Sequence, residues 1–175
     1  FMNAQPNAAH KKLAQLEKAG KLKAVITQYI DGLHQAAGSK NVLELHGSVL
    51  RNYCESCGKS FPVKYVLEAD GVPHCDACGG RVKPDVVLYE ENLDMDVMEA
   101  AVNYISRADM LIIGGTSLVV YPAAGLLRYY QGHKLVLVNK SNTSYDSRAD
   151  LVINENIGEV FSQIQGPYLD KAASE

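Results

Sequence analysis

Short apolar runs alternate with helical segments along most of this chain, and this alternation constrains the fold more than any other feature. The runs MLIIG (110–114) and KLVLV (134–138) are apolar at successive positions, so both faces of each strand must be covered. Segments with apolar residues at helical spacing occur at 95–105 and 122–130. Because strands that are buried on both faces and alternate with helices form parallel sheets, the sequence predicts an α/β fold with helices on both faces of the sheet.

The same pattern extends towards both ends of the sequence. A helix is predicted over 7–19, where Asn7 is the expected N-cap, and a short buried strand over 23–27. A further strand at 151–153 and a helix at 156–164 close the pattern. The segment 166–175 has no periodicity, and we expect it to be a disordered tail.

Length and charge narrow the class of protein. At 175 residues the chain suits one domain that carries a small insert. A formal net charge of −3 provides no broad basic surface, so nucleic acid is not an expected partner. No apolar run reaches the length of a membrane span and no leader pattern is found, so we expect a cytoplasmic protein without a membrane partner.

The insert, at 49–84, contains all four cysteines as two C-x2-C pairs, and glycines follow each pair. Two such pairs supply a tetrahedral set of four thiolates for one structural Zn²⁺ ion, with no coordination position left open for substrate. The alternative is a pair of disulfides or four unrelated buried thiols, which the regular spacing and a cytosolic location disfavour. The predicted zinc ligands are Cys54, Cys57, Cys75 and Cys78.

Polar loops follow three of the predicted strands. They comprise residues 27–34, the GGTS run at 114–117 and the NKS run at 139–141. Ligands of open parallel sheets bind beyond the carboxyl ends of the strands, and glycines followed by hydroxyls and amides suit a nucleotide. His46, in LELHGSV, is a candidate general base, although a lone histidine at such a place is more often structural.

Taken together, these segments resemble the sirtuin family of NAD-dependent protein deacylases, and bacterial members most closely. The resemblance spans almost the whole chain and includes the zinc cysteines. The segments that carry it are PNAAH (6–10), TQYIDGLHQAAG (27–38), LELHGSV (43–49), KPDVVLYEE (83–91), GGTSLVVYPAA (114–124) and LVNK (137–140).

The resemblance implies a Rossmann-like NAD-binding domain, made of 1–48 and 85–165, with a small zinc-ribbon lobe at 49–84. The active site would lie in the cleft between them, with His46 as the general base that deprotonates a ribose hydroxyl of NAD. The residues that match the family's cofactor site are Gln28, Tyr29, Ile30, Asp31, Gly115, Thr116, Ser117, Asn139, Lys140, Ser141 and Ile157.

The resemblance also implies two segments between which an acyl-lysine protein or peptide inserts as a strand. In the implied reaction the acyl oxygen of the substrate attacks the ribose carbon and nicotinamide leaves. His46 then activates a hydroxyl that attacks the resulting imidate, so that free lysine and O-acyl-ADP-ribose are formed. The matching substrate residues are Val86, Val87, Leu88 and Tyr89, together with Leu118, Val119 and Val120.

The sequence departs from the family pattern at three places. The family's Gly-Ala-Gly loop and Asp-Phe-Arg segment, which precede PNAAH, have no match in residues 1–10, so we expect this chain to be a truncated and inactive form. Tyr29 stands where the family has asparagine, which predicts a weaker nicotinamide pocket because one hydroxyl cannot reproduce amide pairing. Glu90 stands where glycine is common.

Two other functions are compatible with part of the sequence. A non-catalytic module that binds NAD, ADP-ribose or a protein is favoured by Tyr29 and by the missing loop. A zinc-ribbon interaction protein would account for the cysteines but leaves GGTSLVVYPAA and LELHG unexplained.

Overall fold

The computed structural model describes residues 2–172, in which strands and helices alternate as the sequence predicts. The strands are β1 Val25–Thr27, β2 Val42–Glu44, β3 Gly47–Cys54, β4 Ser60–Pro62, β5 Val82–Val86, β6 Leu111–Gly114, β7 Leu135–Val138 and β8 Leu151–Ile153. The helices are α1 Ala8–Lys18, α2 Leu33–Ala36, α3 Val63–Leu67, α4 Met95–Arg107, α5 Ala123–Leu126, α6 Ile157–Ser162 and α7 Pro167–Ala172, with short 3₁₀ turns at Leu127–Tyr129 and Asp146–Arg148.

The parallel strands form two groups rather than one continuous sheet. Strand β1 pairs with β2, and β6 pairs with β7, which pairs with β8. Both groups are parallel, so the predicted α/β class is confirmed. No strand within residues 2–172 pairs with the outer edge of β6, and Ile112 on that strand is 37% exposed. The sequence did not predict this division.

Helix boundaries follow the capping residues. The Asn7 side chain accepts a hydrogen bond from the backbone N–H of His10 at 3.1 Å, and His10 Nδ1 accepts one from the N–H of Asn7. This reciprocal pair satisfies two N–H groups that a helix start leaves unpaired. Asp94 and Asn156 cap α4 and α6 without a reciprocal bond, with side-chain oxygens that accept from backbone N–H groups of the first turn.

One hydrophobic core lies between the two groups of parallel strands and helix α4. Its fully buried members are Leu45, Ala101, Ile105 and Leu126. Ile26 of β1 and Leu111 of β6 both pack against it, so one core holds the two sheets in place although no backbone ladder joins them. A second core, formed by Ala9, Val138 and Phe161 with their neighbours, packs α1 and α6 against β7.

The cysteine-containing segment forms a separate antiparallel sheet in the order β4-β3-β5. This sheet begins at Gly47 and ends at Val86, two residues outside the predicted insert at each end. Its core contains Cys54, Phe61, Cys75 and Val82. With so few apolar residues, this sheet lacks the hydrophobic area that normally stabilises an independent fold.

The chain end differs from the sequence prediction. Residues 166–175 are predicted to be disordered, but Pro167–Ala172 forms α7 and Leu169 is buried. The prediction was wrong there because tertiary packing stabilises a segment that lacks a periodic pattern. Residues 173–175 lie outside the described part of the chain. Among residues 2–172, no helix is both long enough and apolar enough to span a membrane.

Candidate active site and metal centre

Residues 28–31 leave the carboxyl end of β1 and turn towards β3. The backbone N–H of Val49 donates to the Ile30 carbonyl at 3.1 Å, and the Asp31 carboxylate accepts from the N–H of Leu33 at 2.9 Å. These contacts hold the loop against β3 and start helix α2. The polar side chains that follow β1 are therefore presented at the end of the strand, as the sequence predicts.

Two side chains of this loop reach across to the loop that follows β6. Gln28 Nε2 donates to Thr116 Oγ1 at 3.2 Å, and the Tyr29 hydroxyl donates to the Gly115 carbonyl at 2.7 Å. Gln28 Oε1 is buried and has no hydrogen-bond partner within residues 2–172. The two predicted cofactor loops thus lie side by side, and one of them presents an unpaired buried acceptor.

His46 lies between this loop and the small sheet. Its Nδ1 is 3.2 Å from the Gln28 carbonyl oxygen, and its own carbonyl accepts from the N–H of Val87 at 3.0 Å. A carbonyl oxygen only accepts, so Nδ1 carries the hydrogen and Nε2 of the neutral ring is left as an acceptor. The histidine is therefore held at both its backbone and its ring.

Gly47, next to His46, is required by the close approach of two strands. A Cβ built at this position would lie 1.9 Å from the Asp85 carbonyl oxygen, and φ is +76°. No other residue fits this geometry without a backbone shift. The glycine permits β3 and β5 to pair directly behind the histidine.

The remaining predicted cofactor residues line the ends of β6 and β7. Ile157, at the start of α6, lies against Gly114, where an added Cβ would be 2.2 Å from its side chain. Asn139 Nδ2 donates to the Ser141 carbonyl at 3.1 Å, which shapes the loop after β7. Ser117 and Lys140 are exposed. The structure therefore gathers these residues along one edge of the parallel strands.

The two predicted substrate segments carry exposed apolar side chains. Leu88, Tyr89, Val119 and Val120 are all exposed, whereas Leu118 is buried and has φ +56°. Within the described residues, no hydrogen bond joins 86–89 to 118–120. The structure therefore places apolar side chains of both segments at the surface and does not join the segments by hydrogen bonds.

Lys83 and Glu91 were not among the predicted site residues, although both belong to the KPDVVLYEE segment. Lys83 Nζ lies 3.0 Å from Glu91 Oε2, and this carboxylate also accepts from the N–H of Leu88 at 2.9 Å. The sequence signal for this pair was a lysine before, and a glutamate after, the predicted substrate segment 86–89. They hold the turn that follows β5.

His10 and His34 form an edge-on ring pair, with ring centroids 4.7 Å apart. Burial, together with the neighbouring His10, lowers the pKa of His34 to about 4, although Asp31 acts in the opposite direction. His34 Nδ1 is buried without a partner in the described chain. Burial also lowers the pKa of His10, against the opposing effect of Asp31, so both rings are neutral near pH 7.

The four cysteine sulfurs lie within 4.8 Å of one another, and none is in a disulfide. Cys54 Sγ is 3.4 Å from Cys78 Sγ, and Cys57 Sγ is 3.7 Å from Cys75 Sγ. A tetrahedral site with Zn–S bonds of about 2.3 Å has sulfurs about 3.8 Å apart. The cluster fits a structural Zn²⁺ ion.

The pKa values of the cysteine thiols also indicate a cation at the centre of the cluster. A backbone hydrogen bond from Cys57 lowers the pKa of Cys54 to about 6. The Gly80 amide lowers the pKa of Cys78, but the neighbouring sulfurs of Cys54, Cys57 and Cys75 outweigh it and raise that pKa to about 12. Four thiolates this close repel one another, and a divalent cation at the centre removes this repulsion.

Comparison with known proteins extends the similarity over almost the whole chain. The sequence profile of the Sir2 family matches residues 1–122. The NAD-dependent protein deacetylase of Clostridium acetobutylicum is 62% identical over 165 residues, which cover 94% of this chain and 67% of that protein. That of Clostridium perfringens is 64% identical, covering 94% and 68%. The chain spans about two thirds of the length of these relatives.

Solved structures show the same fold. A Sir2 structure with a p53 peptide and NAD+ is 42% identical with a TM-score of 0.86, and the match covers 99% of this chain and 73% of that one. A Sir2 structure bound to an acetylated peptide is 45% identical with a TM-score of 0.85, covering 91% and 69%. The similarity therefore holds in sequence and in backbone geometry alike.

Proposed function

The chain belongs to the Sir2, or sirtuin, family, and from this premise we propose that it removes acyl groups from protein lysine side chains with NAD as co-substrate. Its relatives from two Clostridium species carry the name NAD-dependent protein deacetylase. Solved relatives hold NAD+ or an acetylated peptide. Acyl-lysine proteins or peptides are therefore the proposed substrates.

The observation that carries this proposal is the setting of His46. The Gln28 carbonyl accepts from Nδ1, which leaves Nε2 free to take a proton from a hydroxyl group presented to it. The hydrogen bond between the His46 carbonyl and Val87 ties the histidine to the proposed substrate segment. A proton acceptor fixed beside a peptide-binding segment is what this reaction requires.

The residues that follow β1, β6 and β7 fit NAD. Gln28 Oε1 is a buried acceptor without a donor, and an amide or hydroxyl of the cofactor would satisfy it. Asp31, Thr116, Ser117, Asn139, Lys140, Ser141 and Ile157 would contribute the other contacts at the strand ends. When bound, NAD supplies an electrophilic ribose carbon with nicotinamide as its leaving group, and a ribose hydroxyl.

The exposed segments 86–89 and 118–120 are the proposed substrate site. An extended peptide that pairs with backbone groups binds with little dependence on its sequence, while apolar side chains select the acyl-lysine. The exposed apolar residues of both segments support this assignment. Residues 49–84 would form the zinc lobe, with 1–48 and 85–165 as the cofactor domain, and a cytoplasmic location stays a prediction.

A second candidate function, cofactor binding without turnover, is favoured by one contact. The Tyr29 hydroxyl donates to the Gly115 carbonyl across the proposed cofactor cleft. The cofactor would have to compete with this bond. A chain that retained only ADP-ribose binding would act as a binding module.

Titration and an activity assay separate the two functions. Calorimetry with NAD and ADP-ribose measures binding, and mass spectrometry of an acetyl-lysine peptide incubated with NAD measures free lysine and O-acetyl-ADP-ribose. We expect His46→Ala to abolish turnover and to leave ADP-ribose binding intact, with the exposed His133→Ala as the matched control. Binding without turnover would favour the binding module, and absence of both would contradict the two functions together.

A further inference from the structure

Lys83 makes an unusual set of contacts for a lysine at the edge of a small sheet. Its side chain is only 14% exposed, and Nζ donates to the Val86 carbonyl at 2.9 Å, to Glu91 Oε2 at 3.0 Å and to the Pro84 carbonyl at 3.4 Å. An ammonium group has three hydrogens, so all of its donors are used within this turn. The lysine therefore folds back on its own strand rather than extending into solvent.

Glu91 completes the arrangement from the other side. Oε2 accepts from both Lys83 Nζ and the N–H of Leu88, and the N–H of Glu91 donates to the Leu88 carbonyl at 3.1 Å. The Leu88 amide and the Lys83 ammonium lower the pKa of the Glu91 carboxyl, so it is charged at neutral pH. We call Lys83 and Glu91 together the turn clamp.

The turn clamp determines which backbone groups of 86–89 are free. Lys83 occupies the Val86 carbonyl, Glu91 occupies the Leu88 N–H, and the Val87 N–H donates to His46. Within residues 2–172, the Val87 carbonyl and the Tyr89 N–H make no hydrogen bond. These two backbone groups therefore stay available to a bound peptide.

We propose that Lys83 and Glu91 are positioning residues that hold 86–89 in the conformation to which the peptide substrate binds. The inference rests on the proposed function, because it assumes that 86–89 contacts the acyl-lysine peptide. Within residues 2–172, neither side chain makes a hydrogen bond or ion pair to the cofactor loops, so we expect the turn clamp to act on peptide affinity and not on affinity for ADP-ribose. Without the turn clamp, residues 86–89 would lose conformational freedom when the peptide binds. This entropy cost weakens peptide binding.

The test measures affinity for a fluorescent acetyl-lysine peptide by anisotropy, with ADP-ribose titrated in parallel. We expect Glu91→Gln and Lys83→Met each to weaken peptide binding by about 3- to 10-fold, as for a partly exposed ion pair that orders a loop, with ADP-ribose affinity unchanged. Lys83→Arg retains the charge and donors and should recover most of the affinity. Glu90→Gln makes the same chemical change one residue earlier, outside the clamp, and is the matched control.

The possible outcomes separate the inference from the proposed function. Unchanged peptide affinity in both clamp variants, with a wild type that binds, would overturn the inference and leave the proposed function standing. A wild type that binds ADP-ribose but no peptide would overturn the substrate segment, and the inference with it. Should Lys83→Met fail to fold, as judged by circular dichroism, Glu91→Gln decides alone, since the Glu91 side chain is exposed.

Discussion

The Tyr29 hydroxyl donates a 2.7 Å hydrogen bond to the carbonyl of Gly115, and so joins the loop after β1 to the loop after β6. Gln28 makes a second bridge, to Thr116, between the same two loops. Both loops belong to the proposed cofactor site. Tyr29, one of the departures from the family pattern, therefore also restrains the two loops of the proposed cofactor site.

Replacement of Tyr29 by asparagine is expected to strengthen NAD binding. The change removes a bulky ring and a neutral hydrogen bond worth about 0.5–1.5 kcal/mol, which corresponds to about 2- to 10-fold in affinity. Tyr29→Phe keeps the ring and removes only the hydroxyl, so it separates steric from hydrogen-bonding effects. Calorimetry with NAD measures both variants, and equal affinity in wild type and Tyr29→Asn would contradict the prediction.

Removal of zinc is expected to unfold the small antiparallel sheet. Its core of Cys54, Phe61, Cys75 and Val82 is too small to stabilise it alone, whereas metal binding by four thiolates contributes on the order of 10 kcal/mol to folding. We expect one zinc per chain by elemental analysis and a large loss of melting temperature after chelation. Cys75→Ser should behave like the chelated protein, while Ser60→Ala on the same sheet should not. A metal-free chain with an unchanged melting temperature would refute this assignment.

The substitution Glu90→Gly is expected to stabilise the folded chain. Glu90 has φ +68° in the turn closed by the hydrogen bond from the Glu91 N–H to the Leu88 carbonyl, and left-handed backbone costs a residue with a Cβ atom about 1 kcal/mol. In a chain of this size, that gain raises the melting temperature by about 2–4 °C. Glu155→Gly, at an exposed glutamate whose φ is not positive, is the control and should not stabilise. Calorimetric melting of both variants decides the question.

Acid is expected to destabilise the fold through His34. Burial beside His10 lowers its pKa to about 4 in the folded chain, below about 6.5 for an unfolded histidine. Between these two pH values the unfolded chain binds a proton that the folded chain does not, so stability falls as pH drops from 6.5 to 4 and levels off below.

The variant His34→Phe isolates this contribution. It keeps a ring against His10 and cannot titrate, so its loss of stability over the same pH range should be smaller than that of the wild type. Replacement of the exposed His133 by phenylalanine is the matched control. Urea unfolding at a series of pH values provides the measurement. Parallel curves for wild type and His34→Phe would count against a role for this histidine.

Local patterns in the sequence predicted the element types, the cysteine cluster and the loops at the strand ends. Apolar runs and helical spacing indicate which residues are buried, and C-x2-C pairs indicate a metal site. Both kinds of pattern depend on residues that are close together in the chain. The resemblance added the role of His46 towards a ribose hydroxyl and the individual cofactor residues. The division of the parallel strands into two groups, and helix α7 at a segment without periodicity, were not predictable in this way.

The sequence by itself therefore determined the α/β class, the four-thiolate zinc cluster and the family. Only the tertiary structure decided how the side chains combine: Tyr29 with Gly115, His46 with Gln28 and Val87, and Lys83 with Glu91 across the turn. These contacts depend on backbone direction and on the packing of distant segments. Such information is carried by no single stretch of sequence, because each contact forms only when the whole core is in place.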